Sequence, residues 1–268
     1  MNFKKKGIFS RSVRSEEPAA EEVLQGGILA VWGSPSSGKT VTAVKIAKYL
    51  ADKKKNVVLL LCDMTAPMLP CICPPSEIES EHSLGSVLAA THVTEPLIKH
   101  NLVTLKKNSY LTILAMKKGE NEYTYPPYSE VQAKELLCEL RRIAPFIVVD
   151  CSSYIANDIL SALALMEADS VLRLANADLK SISYLSSQLT LLRDSKWDAD
   201  KQYKVSANVK PQQAQDQTVH ALGSSAFTLN YSQELEQQYL AGNLLADLSL
   251  KDSRQFRKEI EKIVKEVF

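Results

Sequence analysis

The stretch Gly33-Ser34-Pro35-Ser36-Ser37-Gly38-Lys39-Thr40 matches the phosphate-loop pattern G-x-x-x-x-G-K-[ST]. In such a loop the backbone N–H groups surround the phosphates of a nucleotide, the lysine reaches the outer phosphates, and the Ser/Thr hydroxyl binds Mg²⁺. The helix that follows directs the positive end of its dipole at the same phosphates. We therefore expect residues 33–40, with Val41 after them, to bind nucleotide phosphates, and Thr40 to contribute to a metal site.

Both flanks of this loop have the patterns that the motif requires. The run from Gly27 to Trp32 is short, apolar and typical of a buried strand. Along 40–51 the apolar residues recur at helical spacing, at Ala43, Ile46, Ala47 and Leu50. A second apolar run, from Asn56 to Cys62, closes at Asp63. This order predicts a strand, a loop, a helix and a second strand, which together form a βαβ unit.

A later strand adds a second feature of nucleotide-binding proteins. Four apolar residues run from Phe146 to Val149 and end at Asp150. This is the form of a Walker B strand, whose carboxylate holds the water shell of Mg²⁺ beside the phosphate loop. Many buried strands end in Asp, so the pattern gains its meaning from the phosphate loop that precedes it.

Strand-like and helix-like stretches alternate along the rest of the chain. Helical patterns occupy 129–143, 155–167, 178–193, 233–240 and 251–267, and strand patterns occupy 111–115, 146–150, 170–175, 204–209 and 226–230. Residues 64–82 carry no clear periodicity and are predicted to form one long loop. The alternation predicts an α/β fold with a mostly parallel sheet and helices on both faces.

Charge divides the chain into a tail and one large domain. Residues 1–25 change from basic to acidic around Pro18 and are predicted to form a flexible N-terminal tail, followed by a P-loop ATPase domain over 26–268. The formal net charge of +1 gives no overall attraction to nucleic acid or membrane. Contact with DNA or a membrane surface needs a local patch, either the tail or the amphipathic run 251–268, for which packing on the sheet is the favoured interpretation.

Apolar runs and cysteines bear on the cellular compartment. No apolar stretch reaches the length of a membrane span, and the N-terminus lacks the apolar core of a secretory signal. The five cysteines, at 62, 71, 73, 138 and 151, lack metal-site spacing, so we interpret them as buried thiols in a reducing compartment. These features predict a cytoplasmic protein, with peripheral contact to a membrane or nucleoid as an alternative.

Six segments resemble, in order, the ParA/MinD family of P-loop ATPases, which have a deviant Walker A motif and position plasmids, division sites and secretion machines. The segments are GSPSSGKT (33–40), NVVLLLCD (56–63), FIVVDCSS (146–153), ALMEADSVLRLANADLKSISYL (164–185), KVSANVKPQ (204–212) and LEQQYLAGNLL (235–245). The resemblance runs from about residue 27 to residue 268. It implies a P-loop NTPase fold and a nucleotide-dependent switch that positions a cargo, whether a plasmid or chromosome, a pilus, or secretion or conjugation machinery.

The same resemblance implies the ligands and their neighbours. ATP or ADP with Mg²⁺ would be the cofactor, and a homodimer that depends on nucleotide would be the assembly, with a cargo or adaptor protein as a further partner. Asn208, near the end of a strand, would contact the adenine base. Lys210 and Pro211 would border that base.

The resemblance also implies a metal site and candidate catalytic residues. Asp63 ends the segment that is similar to the family's switch I. It would lie with Thr40 and Asp150 around Mg²⁺. Lys39 and Asp63 are the candidate catalytic residues, because phosphoryl transfer depends mostly on positioned charge.

The chain departs from the family pattern at three places that matter for turnover. The family's signature lysine, which reaches the partner's nucleotide across the dimer, is replaced by Ser34. The second acid of switch I is replaced by Thr65, and the proline of switch II is absent from Cys151-Ser152-Ser153. Since a missing cation at the γ-phosphate costs about 10³-fold or more, we expect nucleotide binding to survive better than hydrolysis. The TadZ and CpaE pilus-localisation proteins also have irregular loops, so the chain is predicted to lie nearer to them.

Two other functions fit the same loop. One is a catalytically dead P-loop scaffold or localisation module, which differs from the switch only in turnover. The other is a bacterial tyrosine kinase of the capsule-regulator type, since Pro35 to Thr40 fits the loop of those enzymes. They end in a tyrosine cluster, whereas this chain has no tyrosine after Tyr239, so the kinase is the less favoured alternative.

Overall fold

The computed structural model of the protein describes residues 24–80, 82–188, 191–210 and 224–268. Within these ranges nine strands form one sheet: β1 (Gly27–Gly33), β2 (Val57–Leu61), β3 (Ile78–Ser80), β4 (Val103–Leu105), β5 (Asn108–Leu114), β6 (Phe146–Asp150), β7 (Ser170–Asn176), β8 (Gln202–Val209) and β9 (Phe227–Asn230). Their order across the sheet is β3-β4-β5-β2-β6-β1-β7-β8-β9. Along this sheet order, every neighbouring pair from β5 through β2, β6, β1, β7 and β8 to β9 is parallel. Strand β4 pairs antiparallel with both β3 and β5. The predicted α/β fold with a mostly parallel sheet is confirmed.

Helices connect most of these strands. They are α1 (Lys39–Asp52), α2 (Leu69–Ile72), α3 (Leu84–Leu88), α4 (Glu95–Asn101), α5 (Glu130–Ile143), α6 (Ile159–Glu167), α7 (Leu179–Gln188), α8 (Gln233–Leu240) and α9 (Arg254–Val267). Helix α5 begins where the sequence predicts. The Ser129 hydroxyl accepts a hydrogen bond from the Val131 N–H, and the Gln132 side chain accepts one from the Ser129 N–H, which is a capping box.

The core lies on both faces of the sheet because side chains alternate along each strand. On β1, Leu29 and Val31 pack with α1 and α9, whereas Ile28, Ala30 and Trp32 pack with α5 and α6. The apolar stripe of the C-terminal run is buried in the first of these layers, at Phe256, Ile260, Ile263, Val264 and Val267. The favoured interpretation of that run, packing on the sheet, agrees with the structure.

The structure corrects several predicted boundaries. The strand predicted over 111–115 spans Asn108–Leu114, and the helix predicted over 251–267 begins at Arg254. Residues 64–82 are not one loop, since they contain α2, a 3₁₀ turn at Pro75–Glu77 and β3, all too short to produce a periodic pattern. Helix α6 begins at Ile159 rather than at 155, because the Asp158 carboxylate accepts from the Ser161 N–H and caps the helix there. The helix predicted over 178–193 ends at Gln188 among the described residues, and 191–193 forms a 3₁₀ turn.

Two sequence predictions about surfaces and thiols meet the structure only in part. Residues 1–23, most of the predicted tail, lie outside the described ranges. Cys62, Cys73 and Cys151 are buried, Cys71 is half-buried and Cys138 is exposed, and all five are free thiols. In the described ranges no helix has both the length and the apolarity that crossing a membrane requires.

Candidate functional site

The phosphate loop connects the carboxyl end of β1 to the first turn of α1. Its first glycine, Gly33, passes so close to β7 that a Cβ there would lie 2.0 Å from the Leu174 carbonyl oxygen, so only glycine fits. Its second glycine, Gly38, precedes α1 with a φ of 78°, a conformation that glycine adopts without strain. Both glycines of the motif are therefore required by the local backbone as well as by the pattern.

The early part of the loop is closed by hydrogen bonds. The Ser34 N–H donates to the Leu174 carbonyl at 3.0 Å, and the Ser37 hydroxyl donates to the Ser34 carbonyl at 2.7 Å. The Ser34 side chain is fully buried and shares a hydrogen bond of 2.7 Å with the Ser181 hydroxyl of α7. The position at which the similar family has its signature lysine is thus filled by a small side chain that α7 covers.

Lys39 lies at the inner edge of the loop with neutral partners. Its ammonium donates to the Ser153 hydroxyl at 2.7 Å and to the Ser34 carbonyl at 3.3 Å. The Ser153 hydroxyl donates in turn to the Gly33 carbonyl at 3.0 Å, and the Tyr184 hydroxyl of α7 donates to the Ser153 carbonyl. Burial lowers the pKa of Lys39, and the charge of Asp150 opposes that shift. A negatively charged ligand that binds the Lys39 ammonium would therefore displace two neutral acceptors, a hydroxyl and a carbonyl. It would not have to displace a carboxylate.

Thr40 and Asp150 meet directly across the strand edge. The Thr40 hydroxyl donates to Oδ2 of Asp150 at 2.6 Å. The other carboxylate oxygen, Oδ1, is buried and has no hydrogen-bond partner. Burial raises the pKa of Asp150 to about 6. A buried carboxylate oxygen without a partner is costly, and a hard cation with its water shell, such as Mg²⁺, is the kind of group that satisfies it.

Asp63 lies at the end of β2, near the same site. Its Oδ1 accepts hydrogen bonds from the N–H groups of Thr65 and Ala66, at 3.0 and 2.8 Å. These bonds form a tight turn of the kind that Asp favours, and they leave Thr65 exposed. The negative charge of Asp63 acts on both Lys39 and Asp150. Asp63 therefore contributes to the field of the site, whereas Thr65 brings no charge to it.

A groove of about 610 Å³ extends from the loop toward β8 and β9. The phosphate-loop end is lined by residues 36–42, which include Val41, while Pro35 lies half-buried at the turn outside this lining. The groove is also lined by Asn208, which lies against the phosphate loop, and by Lys210 and Tyr231. The Lys210 ammonium lies 4.8 Å from the centre of the Tyr231 ring. Pro211, the other residue expected at the base, lies outside the described residues.

Three groups at the site were not singled out by sequence. Ser153 was noted only as a departure from a family pattern, Asn176 was only one residue of the resembling segment 164–185, and Tyr231 was given no role. Asn176 ends β7, beside Ala207 of β8, and Tyr231 follows β9. The signal that could have found both is position, because polar residues at the carboxyl ends of parallel strands gather at one edge.

Comparisons with known proteins give structural neighbours only. No protein-family model matches the chain, and no curated protein matches its sequence. The cell division protein MinD from Aquifex aeolicus aligns over 90% of this chain and 98% of its own, with a TM-score of 0.66 and 18% identity. A ParA family ATPase from Chlorobium tepidum TLS aligns over 89% and 98%, with a TM-score of 0.73 and 12% identity.

A third solved structure contains a nucleotide. It is the septum site-determining protein MinD complexed with Mg-ADP from Pyrococcus horikoshii OT3, which aligns over 88% of this chain and 95% of its own at a TM-score of 0.68 and 13% identity. The nearer resemblance to the TadZ and CpaE proteins is not confirmed by these neighbours. From the sheet order, the phosphate loop and these alignments, the chain has the fold of the ParA/MinD-type P-loop ATPases.

Proposed function

We propose that the chain is a nucleotide-dependent switch of the ParA/MinD type that binds Mg²⁺-ATP and positions a cargo, with slow or absent hydrolysis. The observation that carries this proposal is the meeting of Lys39, Thr40 and Asp150 at one edge of the sheet. Lys39 would bind the outer phosphates, and Thr40 and Asp150 would hold Mg²⁺, which offsets phosphate charge when bound. The partnerless Oδ1 of Asp150 supports this assignment.

The geometry around Ser34 and Thr65 favours slow turnover. Ser34 is covered by α7, and a serine has no cation to offer a nucleotide in a second chain. Thr65 has no carboxylate with which to position an attacking water. A catalytically dead scaffold with the same fold is the second candidate, and these two positions are the observations that favour it.

The base is proposed to bind in the part of the groove that Asn208 lines, next to the phosphate loop. Asn208 lies there with a φ of 50°, in the left-handed region that Asn tolerates better than most residues. Lys210 and Tyr231 lie beside it. The nucleotide would thus extend from Lys39 to Asn208, and the solved MinD complex with Mg-ADP supports a nucleotide in this fold.

The test measures binding and hydrolysis separately. Titration calorimetry with ATP, in Mg²⁺ and in EDTA, should show binding that depends on Mg²⁺, while phosphate release stays slow or undetectable. Asp150→Asn should weaken Mg²⁺-ATP binding roughly 10- to 100-fold, and the matched control Asp52→Asn, on the exposed surface of α1, should not. Failure of ATP to bind would reject both the switch and a nucleotide-bound scaffold, and brisk release would reject slow turnover.

Partners and location follow from the proposed role. A nucleotide-dependent homodimer is proposed, and light scattering with and without Mg²⁺-ATP tests it. The proposed role is cytoplasmic, with a cargo or adaptor protein as partner. Peripheral contact with DNA or membrane is tested by co-sedimentation of the whole chain, and the burial of the apolar stripe of α9 leaves that helix without a free apolar face for such contact.

A further inference from the structure

Two asparagine amides and one loop carbonyl form a small network at the base end of the groove. The Asn176 amide nitrogen donates to the Ser36 carbonyl at 3.1 Å, and the Asn208 amide nitrogen approaches the same carbonyl at 3.4 Å. The Asn208 amide nitrogen also donates to Oδ1 of Asn176 at 2.9 Å. The network ties the phosphate loop to β7 and β8, two neighbouring strands.

The Ser36 carbonyl determines how both amides are turned. A carbonyl oxygen only accepts hydrogen bonds, so the groups that face it must be the donating NH₂ ends. A half-turn of either amide would place its oxygen against the Ser36 oxygen. Once Asn176 is fixed in this way, its own oxygen faces the Asn208 NH₂ group and holds it. The orientation of Asn208 is therefore set by Asn176 and Ser36 together.

This arrangement leaves Oδ1 of Asn208 as the free end of the network. Among the described residues it accepts no hydrogen bond, although the amide nitrogen makes two. Asn208 lines the groove. The amide lies over the start of α1, because a Cβ at Gly38 would be 3.6 Å from both Nδ2 and Oδ1 of Asn208. An acceptor that no described residue uses therefore lies beside the phosphate loop, where the base is proposed to bind.

We propose that Asn176 is a positioning residue that orients the Asn208 amide and thereby makes the site select a purine with an amino group at position 6. This inference rests on the proposed nucleotide-binding function. The amino group of adenine donates to an acceptor, whereas guanine and hypoxanthine present a carbonyl oxygen at the same position. A fixed acceptor stabilises adenine and repels the carbonyl oxygen of guanine and hypoxanthine. An amide that turns freely would accommodate either kind of purine. The selectivity for adenine thus depends on a residue that need not touch the base.

The experiment compares Mg²⁺-ATP, Mg²⁺-ITP and Mg²⁺-GTP in equilibrium binding. ITP differs from ATP in the group at position 6 and in the proton on the neighbouring N1, so their affinity ratio reports on that edge of the purine. One hydrogen bond gained and one repulsion avoided predict about tenfold tighter binding of ATP by the unaltered protein. Asn176→Ala should reduce the ratio to about twofold or less, with the affinity for ITP within about twofold of the original value. Asn208→Ala should reduce the ratio of ATP to ITP affinity by the same factor. The double variant should show the same ratio as either single variant, because the two amides act as one unit.

Asn56→Ala is the matched control, because Asn56 is exposed just before β2 and belongs neither to the groove lining nor to this network. It should keep the full ratio of ATP to ITP affinity. Equal losses of ATP and ITP affinity in Asn176→Ala would show a structural role and overturn the inference, as would an unaltered protein without preference for ATP. Failure of all three nucleotides to bind would instead reject the proposed function, and the inference with it.

Discussion

Two lysines of helix α1, the half-buried Lys39 and the buried Lys45, show how the same residue type serves a ligand site or the fold. Lys45 is 5% exposed and donates to the Gln238 side-chain oxygen at 2.6 Å and to the Ala246 carbonyl at 2.8 Å. Those acceptors belong to α8 and the segment after it. Lys39 lines the groove and donates to the Ser153 hydroxyl and the Ser34 carbonyl, both of which belong to buried residues. Burial lowers the pKa of both, so the difference lies in their partners.

The comparison teaches that burial of a cation does not by itself mark a functional site. A lysine whose acceptors come from another packed element joins two parts of the fold. A lysine that itself lines a groove can exchange its acceptors for a ligand that enters the groove. The predictions that follow test whether this distinction holds.

The largest effect should come from removing each of the two lysines in turn. Lys39→Ala is expected to weaken Mg²⁺-ATP binding about 10³-fold, since removing one partner of a close charge pair costs roughly 4 kcal/mol. Its unfolding free energy should change little, because the partners lost are neutral. Lys45→Met should leave the affinity within about twofold. Calorimetry and urea unfolding of both variants measure the two quantities, and equal loss of affinity in both would end the distinction.

The second prediction concerns pH and the unfolding free energy. Burial lowers the pKa of Lys45 from 10.5 to about 8. Between these values the unfolded chain binds a proton that the folded chain does not, so this group makes stability rise with pH. The unfolding free energy of the original protein minus that of Lys45→Met should rise by about 3 kcal/mol from pH 8 to pH 10.5. A difference that stays constant over this window would mean that Lys45 remains charged in the folded state.

Sequence predicts Lys39 and its surroundings well, and for a physical reason. The phosphate loop has to be followed by a helix, and the apolar runs before it and before Asp150 have to be buried strands. Parallel strands place their carboxyl ends at one edge, so Thr40 and Asp150 meet there. The mostly parallel sheet follows from the same alternation.

Sequence does not predict the contacts between distant polar groups. Nothing near Asn176 indicates that its amide reaches Ser36, 140 positions away. The partners of Lys45 on α8 and beyond are 193 and 201 positions away. The edge strand β3 and its neighbour β4 have three residues each, too few for a pattern. Such contacts depend on the completed fold, which a local pattern does not describe.

The third prediction tests whether position 34, where the similar family has its signature lysine, can hold a lysine in this chain. Ser34→Lys should lower the unfolding free energy by about 2 kcal/mol, because the Ser34 site is fully buried against α7 and the longer lysine side chain has to push that helix away. Phosphate release should not increase. Ser36→Lys is the matched control, since Ser36 is an exposed residue of the same loop. It should lower the unfolding free energy by less than Ser34→Lys does. A stable Ser34→Lys variant with rapid phosphate release would show that only the missing lysine limits turnover.

The smallest effect should come from the hydroxyl of Ser153, which accepts a hydrogen bond from Lys39. Ser153→Ala removes the hydroxyl that accepts from Lys39 at 2.7 Å. A nucleotide then no longer has to displace that hydrogen bond, so Mg²⁺-ATP affinity should rise about fivefold, which corresponds to roughly 1 kcal/mol. Ser152→Ala is the matched control, because the neighbouring Ser152 hydroxyl is buried without a hydrogen-bond partner and its removal should leave affinity unchanged. If Ser153→Ala weakens binding instead, Ser153 contacts the nucleotide itself, and Lys39 does not exchange one partner for another as the comparison with Lys45 requires.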